Sequence, residues 1–131
     1  GLRSSGDMVK AFAAGADAIM CGSLLAGVAE APGETFREAD GSVWKSYRGM
    51  ASKEAQTDWR GKFSSLEGIA SRVPYSGKAA AVLEELERGI RSGLSYSGAR
   101  SIEELQFKAE FVEQTPSSLS ESQTHITTRK W

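Results

Sequence analysis

The residues of this chain best placed to do chemistry gather in one stretch, Ala18-Ile19-Met20-Cys21-Gly22-Ser23-Leu24-Leu25-Ala26-Gly27. A short apolar run breaks at Gly22-Ser23 and resumes as small and aliphatic residues, the pattern of a buried parallel strand that delivers a turn. Glycine lets the backbone come close to a ligand, and Ser23 adds a hydroxyl and an N–H, so the step suits an anion of phosphate size. If Ser23 opens a short helix, the unpaired N–H groups of its first turn face the same anion. His125, the only histidine, stands in a Ser/Thr-rich tail with no partner visible in the sequence, and no catalytic role is assigned to it.

Around this turn the sequence lays out the elements that must position it. Ser4 and Asp7 have capping-box spacing for a helix over about Asp7 to Ala14, with Val9, Phe12 and Ala13 as its inner stripe and Gly15 at its C′ end. A helix followed by Gly-Ala-Asp and a buried strand is half of a βαβ unit, which implies a parallel sheet and a preceding strand ending near Gly1-Leu2. Asp40-Gly41 between Glu34–Arg37 and Ser42–Tyr47 reads as a hairpin, and Ser52 to Asp58 as a short helix. Trp59 to Gly77 shows no period: it is a lid or binding loop docked by Trp59, Phe63, Ile69 and Tyr75, or else a connector. Ala79, Val82, Leu83, Leu86 and Ile90 form the clearest helical stripe, with Gly89 and Gly93 marking close packing or a break. Ser101 to Glu104 is a capping box for a helix to about Ala109, and beyond Pro116 the tail reads as mobile.

Composition narrows the function. Sixteen basic residues against seventeen acidic ones give a net charge of −1, so no basic field exists to attract nucleic acid. The longest apolar stretch, Ala11 to Ala29, is broken by Asp17, glycines and Ser23, too polar to span a membrane, and without a basic n-region ahead of it no signal or transmembrane segment is expected. A single cysteine excludes an intrachain disulfide and suits a reducing, cytoplasmic setting. The chain opens on Gly1-Leu2-Arg3 and enters a helix signal at once, as though part of a longer protein.

Several segments together carry a resemblance. Gly1-Leu2-Arg3-Ser4-Ser5-Gly6-Asp7, Cys21 to Gly27, Glu30-Ala31-Pro32-Gly33-Glu34, Tyr47-Arg48-Gly49-Met50, Glu67-Gly68, Arg72-Val73-Pro74-Tyr75 and Gly98 to Leu105 follow one another as in the IMP dehydrogenase and GMP reductase family. The whole of residues 1–131 thus resembles the C-terminal part of that family's catalytic domain. The implied fold is α/β, the last strands and helices of a (β/α)8 barrel, with a flap over about residues 52–73 and a tail over about 115–131. A phosphate site after the last strands is where such barrels commonly place one.

The resemblance also implies roles. Gly1, Gly22 and Ser23 would hold the 5′-phosphate of IMP or GMP, with the Tyr47 hydroxyl closing the site. Gly49, Met50 and Ala51 would meet the purine through backbone atoms, and Glu67 would accept from a ring N–H, although taken alone it is an ordinary solvated carboxylate. Glu121, Ser122 and Gln123 would offer carbonyls to a monovalent cation, potassium, shared with a neighbouring subunit of a homotetramer; without the resemblance they are simply tail. Cys21 falls within the last-strand motif and reads as a small core residue, since the family's nucleophilic cysteine lies on a loop that none of these residues matches.

Dehydrogenases of the family oxidise IMP with NAD and then use a flap Arg-Tyr pair to activate water. Here Arg60 is followed by Gly61, not tyrosine, and the loop is short. Reductases, which use NADPH and release ammonia, need no water activation. The number of matching segments leans to IMP dehydrogenase with Arg60 as the base; GMP reductase is the alternative. A reading from another class is a non-catalytic nucleotide-binding or assembly module.

Overall fold

The computed structural model describes residues 1–49, Thr57 and residues 70–122. Helix α1 (Ser5–Ala13) and the short helix α2 (Ser23–Ala26) precede a three-stranded antiparallel sheet of β1 (Thr35–Arg37), β2 (Val43–Arg48) and β3 (Ala70–Pro74), in that spatial order. Helices α3 (Ala79–Tyr96), α4 (Ile102–Lys108) and α5 (Pro116–Glu121) follow.

Local chemistry explains the helix starts. The Ser4 hydroxyl accepts from the Asp7 N–H at 3.3 Å while Asp7 accepts from the Ser4 N–H at 3.1 Å, the reciprocal box the spacing implies. Hydrogen bonds from the Arg3 N–H and then the Ser4 side chain hold the Asp7 carboxyl below its usual range. The Ser101 hydroxyl accepts from the Glu104 N–H at 3.1 Å, and Glu104 accepts in turn from the Arg100 N–H at 2.8 Å. Helix α3 has no side-chain cap of its own; Glu30, 49 positions earlier, reaches across to accept from the Ala79 N–H at 2.8 Å. That bond keeps the Glu30 carboxyl ionised below its ordinary range.

Glycines set how closely the helices pack. A methyl at Gly93 would stand 2.5 Å from Val9 Cγ2, and one at Gly89 would stand 2.1 Å from Ser5 Oγ, so α1 lies directly on α3. Both glycines therefore serve close packing, and the helix runs through them without a break. Met8, not one of the expected stripe residues, is the fully buried side chain of α1, while Val9, Phe12 and Ala13 are half-buried. Among the described residues Leu105 of α4 is the most buried apolar one. The stripe of α3 is half-covered, and Leu83 is 52% exposed.

Several expectations are corrected. Among the described residues neither Gly1–Arg3 nor Ala18–Cys21 forms a strand, and Met20 is 92% exposed. A parallel strand exists only through its neighbours' hydrogen bonds, and the described residues supply no neighbour for either segment. Among the described residues the sheet is antiparallel, and the one parallel pairing is an isolated bridge between Val28 and Gly77. Cys21 is half-buried, not in the core. The stretch expected as loop as far as Gly77 contains β3, whose ladder on β2 pairs Lys45 with Val73 and Tyr47 with Ser71. The hairpin at Asp40-Gly41 is present, with Phe36 opposite Trp44. Part of the tail is the helix α5, capped by the Thr115 hydroxyl and opened by Pro116. Of the helix expected over Ser52 to Asp58, Thr57 is helical and the other positions lie outside the described residues, as do Trp59, Phe63, Ile69 and His125.

Candidate functional site

Gly22 caps α2, so the backbone turns into the helix at Ser23 as the sequence implies. Gly22 and Ser23 are exposed, whereas Ala26, Gly27 and Val28 behind them are buried. The turn is therefore an accessible rim on a packed base.

Strand β2 brings Tyr47 to this rim. A β-carbon at Gly22 would lie 3.8 Å from the Tyr47 hydroxyl oxygen, so the phenol lies beside Gly22. Gly49, half-buried, follows directly after the strand. Tyr47 thus brings a hydroxyl beside Gly22, where the exposed Ser23 turn begins and no bulky side chain stands at position 22; hydroxyl and backbone N–H groups are donors of the kind suited to an anion.

The base of the rim is held on two sides. The Gly27 carbonyl accepts from the Ser76 N–H at 2.9 Å, and the Gly77 carbonyl accepts from the Ala29 N–H at 2.7 Å. A methyl at Gly27 would lie 2.1 Å from the Pro74 carbonyl oxygen, so only glycine lets α2 approach β3 this closely. On the other side stands Lys45, 2% exposed, whose ammonium donates to the carbonyls of Val28 at 2.6 Å, of Ala29 at 3.1 Å and of Ala31. Nothing in the sequence reading marked Lys45. The available signal was strand alternation, which puts Val43, Lys45 and Tyr47 on one face of β2.

Gly1 has open space about it, and no described contact joins it to the rim. Glu121 ends α5, and Ser122 caps that helix with its hydroxyl donating to the Leu119 carbonyl at 2.8 Å. No cluster of three or more His, Cys, Asp or Glu side chains that could hold a metal occurs among the described residues. Met50, Ala51, Arg60, Glu67 and Gln123 lie outside the described residues. A separate groove lined by Val9, Ala13, Leu105, Phe111 and Val112 includes none of the site residues.

An α/β chain with a glycine-serine turn met by a tyrosine hydroxyl thus stands where sequence and structure comparisons can place it. The chain belongs to the IMP dehydrogenase/GMP reductase domain family, whose profile matches residues 1–125. It is 51% identical over 135 residues to an inosine-5′-monophosphate dehydrogenase of Aquifex aeolicus, covering 95% of this chain and 27% of that protein. The corresponding enzyme of Helicobacter pylori is 45% identical over 135 residues, with 95% of this chain and 28% of that one covered. Among solved structures, a GMP reductase variant from Trypanosoma brucei in complex with guanosine 5′-monophosphate superposes with a TM-score of 0.86 at 42% identity, covering 97% of this chain and 27% of that one. The chain therefore spans little more than a quarter of the length of these relatives.

Proposed function

We propose that this chain forms the nucleotide-holding end of a purine-nucleotide oxidoreductase, an IMP dehydrogenase that converts IMP, NAD and water to XMP and NADH in the cytoplasm. The observation that carries the reading is the Tyr47 hydroxyl reaching Gly22 at the start of the Ser23 turn, in a chain of this family. Gly22 and Ser23 bind the 5′-phosphate through N–H and hydroxyl donors, Gly1 completes the pocket, and Tyr47 closes it. Charge-assisted bonds of this kind are the strong ones, so the phosphate is the handle that orients the rest of the nucleotide. Gly49, Met50 and Ala51 meet the purine and Glu67 accepts from its ring N–H. NAD accepts the hydride, and Arg60 on a flap over about residues 52–73 serves as the base for water.

In this reading the chain supplies the closing strands and helices of a (β/α)8 barrel, with residues 1–131 in one catalytic domain and the tail from about 115 at its edge. Gly1–Arg3 and Ala18–Cys21 then become strands paired to other strands of the barrel, which agrees with the exposed Met20. Carbonyls of Glu121, Ser122 and Gln123 ligate potassium at a subunit boundary of a homotetramer; carbonyls at a helix end lack intrahelical donors and suit a hard cation.

GMP reductase is the second reading, favoured by the superposition on a reductase and by glycine after Arg60 where dehydrogenases carry tyrosine. A steady-state assay of the full-length enzyme carrying this chain separates the two. NADH appearing with IMP and NAD supports the first; NADPH consumed with GMP, and no turnover of IMP, overturns it. Inactivity with both pairs supports a non-catalytic nucleotide-binding module.

A further inference from the structure

A lysine buried to 2% exposure on a strand that is otherwise at the surface is an unusual expense of desolvation. The Lys45 ammonium meets it with the carbonyls of Val28, Ala29 and Ala31, all in the turn that follows α2. Three acceptors match the three donors of an ammonium group, so the charge is fully hydrogen-bonded. The same three bonds tie the turn behind Gly22-Ser23 to β2. Two residues further along β2, on the same face, Tyr47 sends its hydroxyl to Gly22.

We propose that Lys45 is a positioning residue for the nucleotide: by clamping the Val28–Ala31 carbonyls to β2 it fixes the distance between the Gly22-Ser23 turn and the Tyr47 hydroxyl. The two halves of the rim come from segments more than twenty positions apart, and the Lys45 bonds join the turn behind one half to the strand that carries the other, so this clamp sets their spacing. The ammonium's three bonds all go to backbone carbonyls behind the rim, so Lys45 acts through backbone. A single ammonium can do this because its donors radiate from one atom to three carbonyls of one turn; an arginine fork is planar and meets fewer of them.

The inference rests on the phosphate reading above, and the wild-type arm of its test checks that reading separately. In the full-length enzyme, wild type must turn over IMP with a far higher kcat/KM than inosine; equal values overturn the phosphate reading itself. Given that preference, Lys45→Met is expected to raise the KM for IMP roughly tenfold, the worth of one misplaced charge-assisted bond, with kcat changed less than about twofold. In a Tyr47→Phe background the same substitution should raise KM much less, because the partner whose spacing it sets has already lost its hydroxyl. An equal effect in both backgrounds, or an unchanged KM in a folded Lys45→Met enzyme, overturns the proposal. Should Lys45→Met fail to fold, Lys45→Arg decides: a folded enzyme with KM raised several-fold at near-normal kcat supports positioning. A folded Lys45→Arg enzyme with wild-type KM shows that the lysine serves stability alone and overturns the proposal.

Discussion

Tyr47 and Gly22 show how single residues make the rim. A hydrogen bond to a charged group is worth about 1.5–3 kcal/mol. In the proposed reading, Tyr47→Phe should therefore raise the KM for IMP by roughly tenfold or more, with kcat little altered, in steady-state kinetics of the full-length enzyme. Caps offer a second residue-scale expectation: Ser101→Ala removes the acceptor for the Glu104 N–H and should lower stability by about 1 kcal/mol in urea unfolding of the full-length enzyme. Both residues are legible from sequence, for different reasons. Ser101 acts on a residue three positions away, and Tyr47 stood within a segment, Tyr47-Arg48-Gly49-Met50, that carried the family resemblance.

Between elements, contact distances decide the sign of an effect. Glycine to alanine within a helix ordinarily stabilises by about 1 kcal/mol, and Gly93 lies inside α3. Here the added methyl would meet Val9 Cγ2 at 2.5 Å, so Gly93→Ala should instead destabilise, by about 1–3 kcal/mol, as overpacking does. Thermal unfolding of the variant beside Ser97→Ala, a change at the C-cap of the same helix, separates the packing effect from the helix's own preferences. The link between Glu30 and α3 brings a pH dependence. The Ala79 N–H depresses the Glu30 carboxyl in the folded chain, so its contribution is present above the ordinary carboxylate range and is lost as pH falls through the depressed value. Stability measured across acidic pH should fall less steeply in Glu30→Gln than in wild type. Sequence periodicity found α3 and the hairpin but not this link, because a carboxylate 49 positions from the N–H it receives leaves no local pattern. Strand β3 was missed for a similar reason, since Ser71 to Pro74 become a strand by pairing with β2 and carry no alternation of their own.

Among the described residues few apolar side chains are deeply buried: Met8, Ala26, Val28, Ala99 and Leu105. Large apolar groups stay open on several faces, with Phe107 at 90% and Val112 at 81% exposed. A core of that size offsets little of the conformational entropy lost on ordering the described residues. The 131-residue chain by itself should therefore melt broadly, without a cooperative calorimetric transition; a sharp transition would contradict this. Among the described residues no helix is long and apolar enough to cross a membrane, in line with the interrupted run from Ala11 to Ala29.

The sequence by itself determined what depends on neighbours a few positions apart: the capping box at Ser4, the Ser101 cap, the Asp40-Gly41 hairpin and the Gly22-Ser23 turn. It also carried the family, through segments whose order is a one-dimensional property. Tertiary structure alone decided which side chains face each other across the chain. Lys45 reaches carbonyls 14, 16 and 17 positions earlier, and no period or motif encodes a contact of that separation. The turn read first as a strand ending in an anion site is now a rim with a defined base: Tyr47 in front, Lys45 and Pro74 behind. Its strand has no partner among the described residues, because parallel pairing depends on neighbours that local sequence cannot supply.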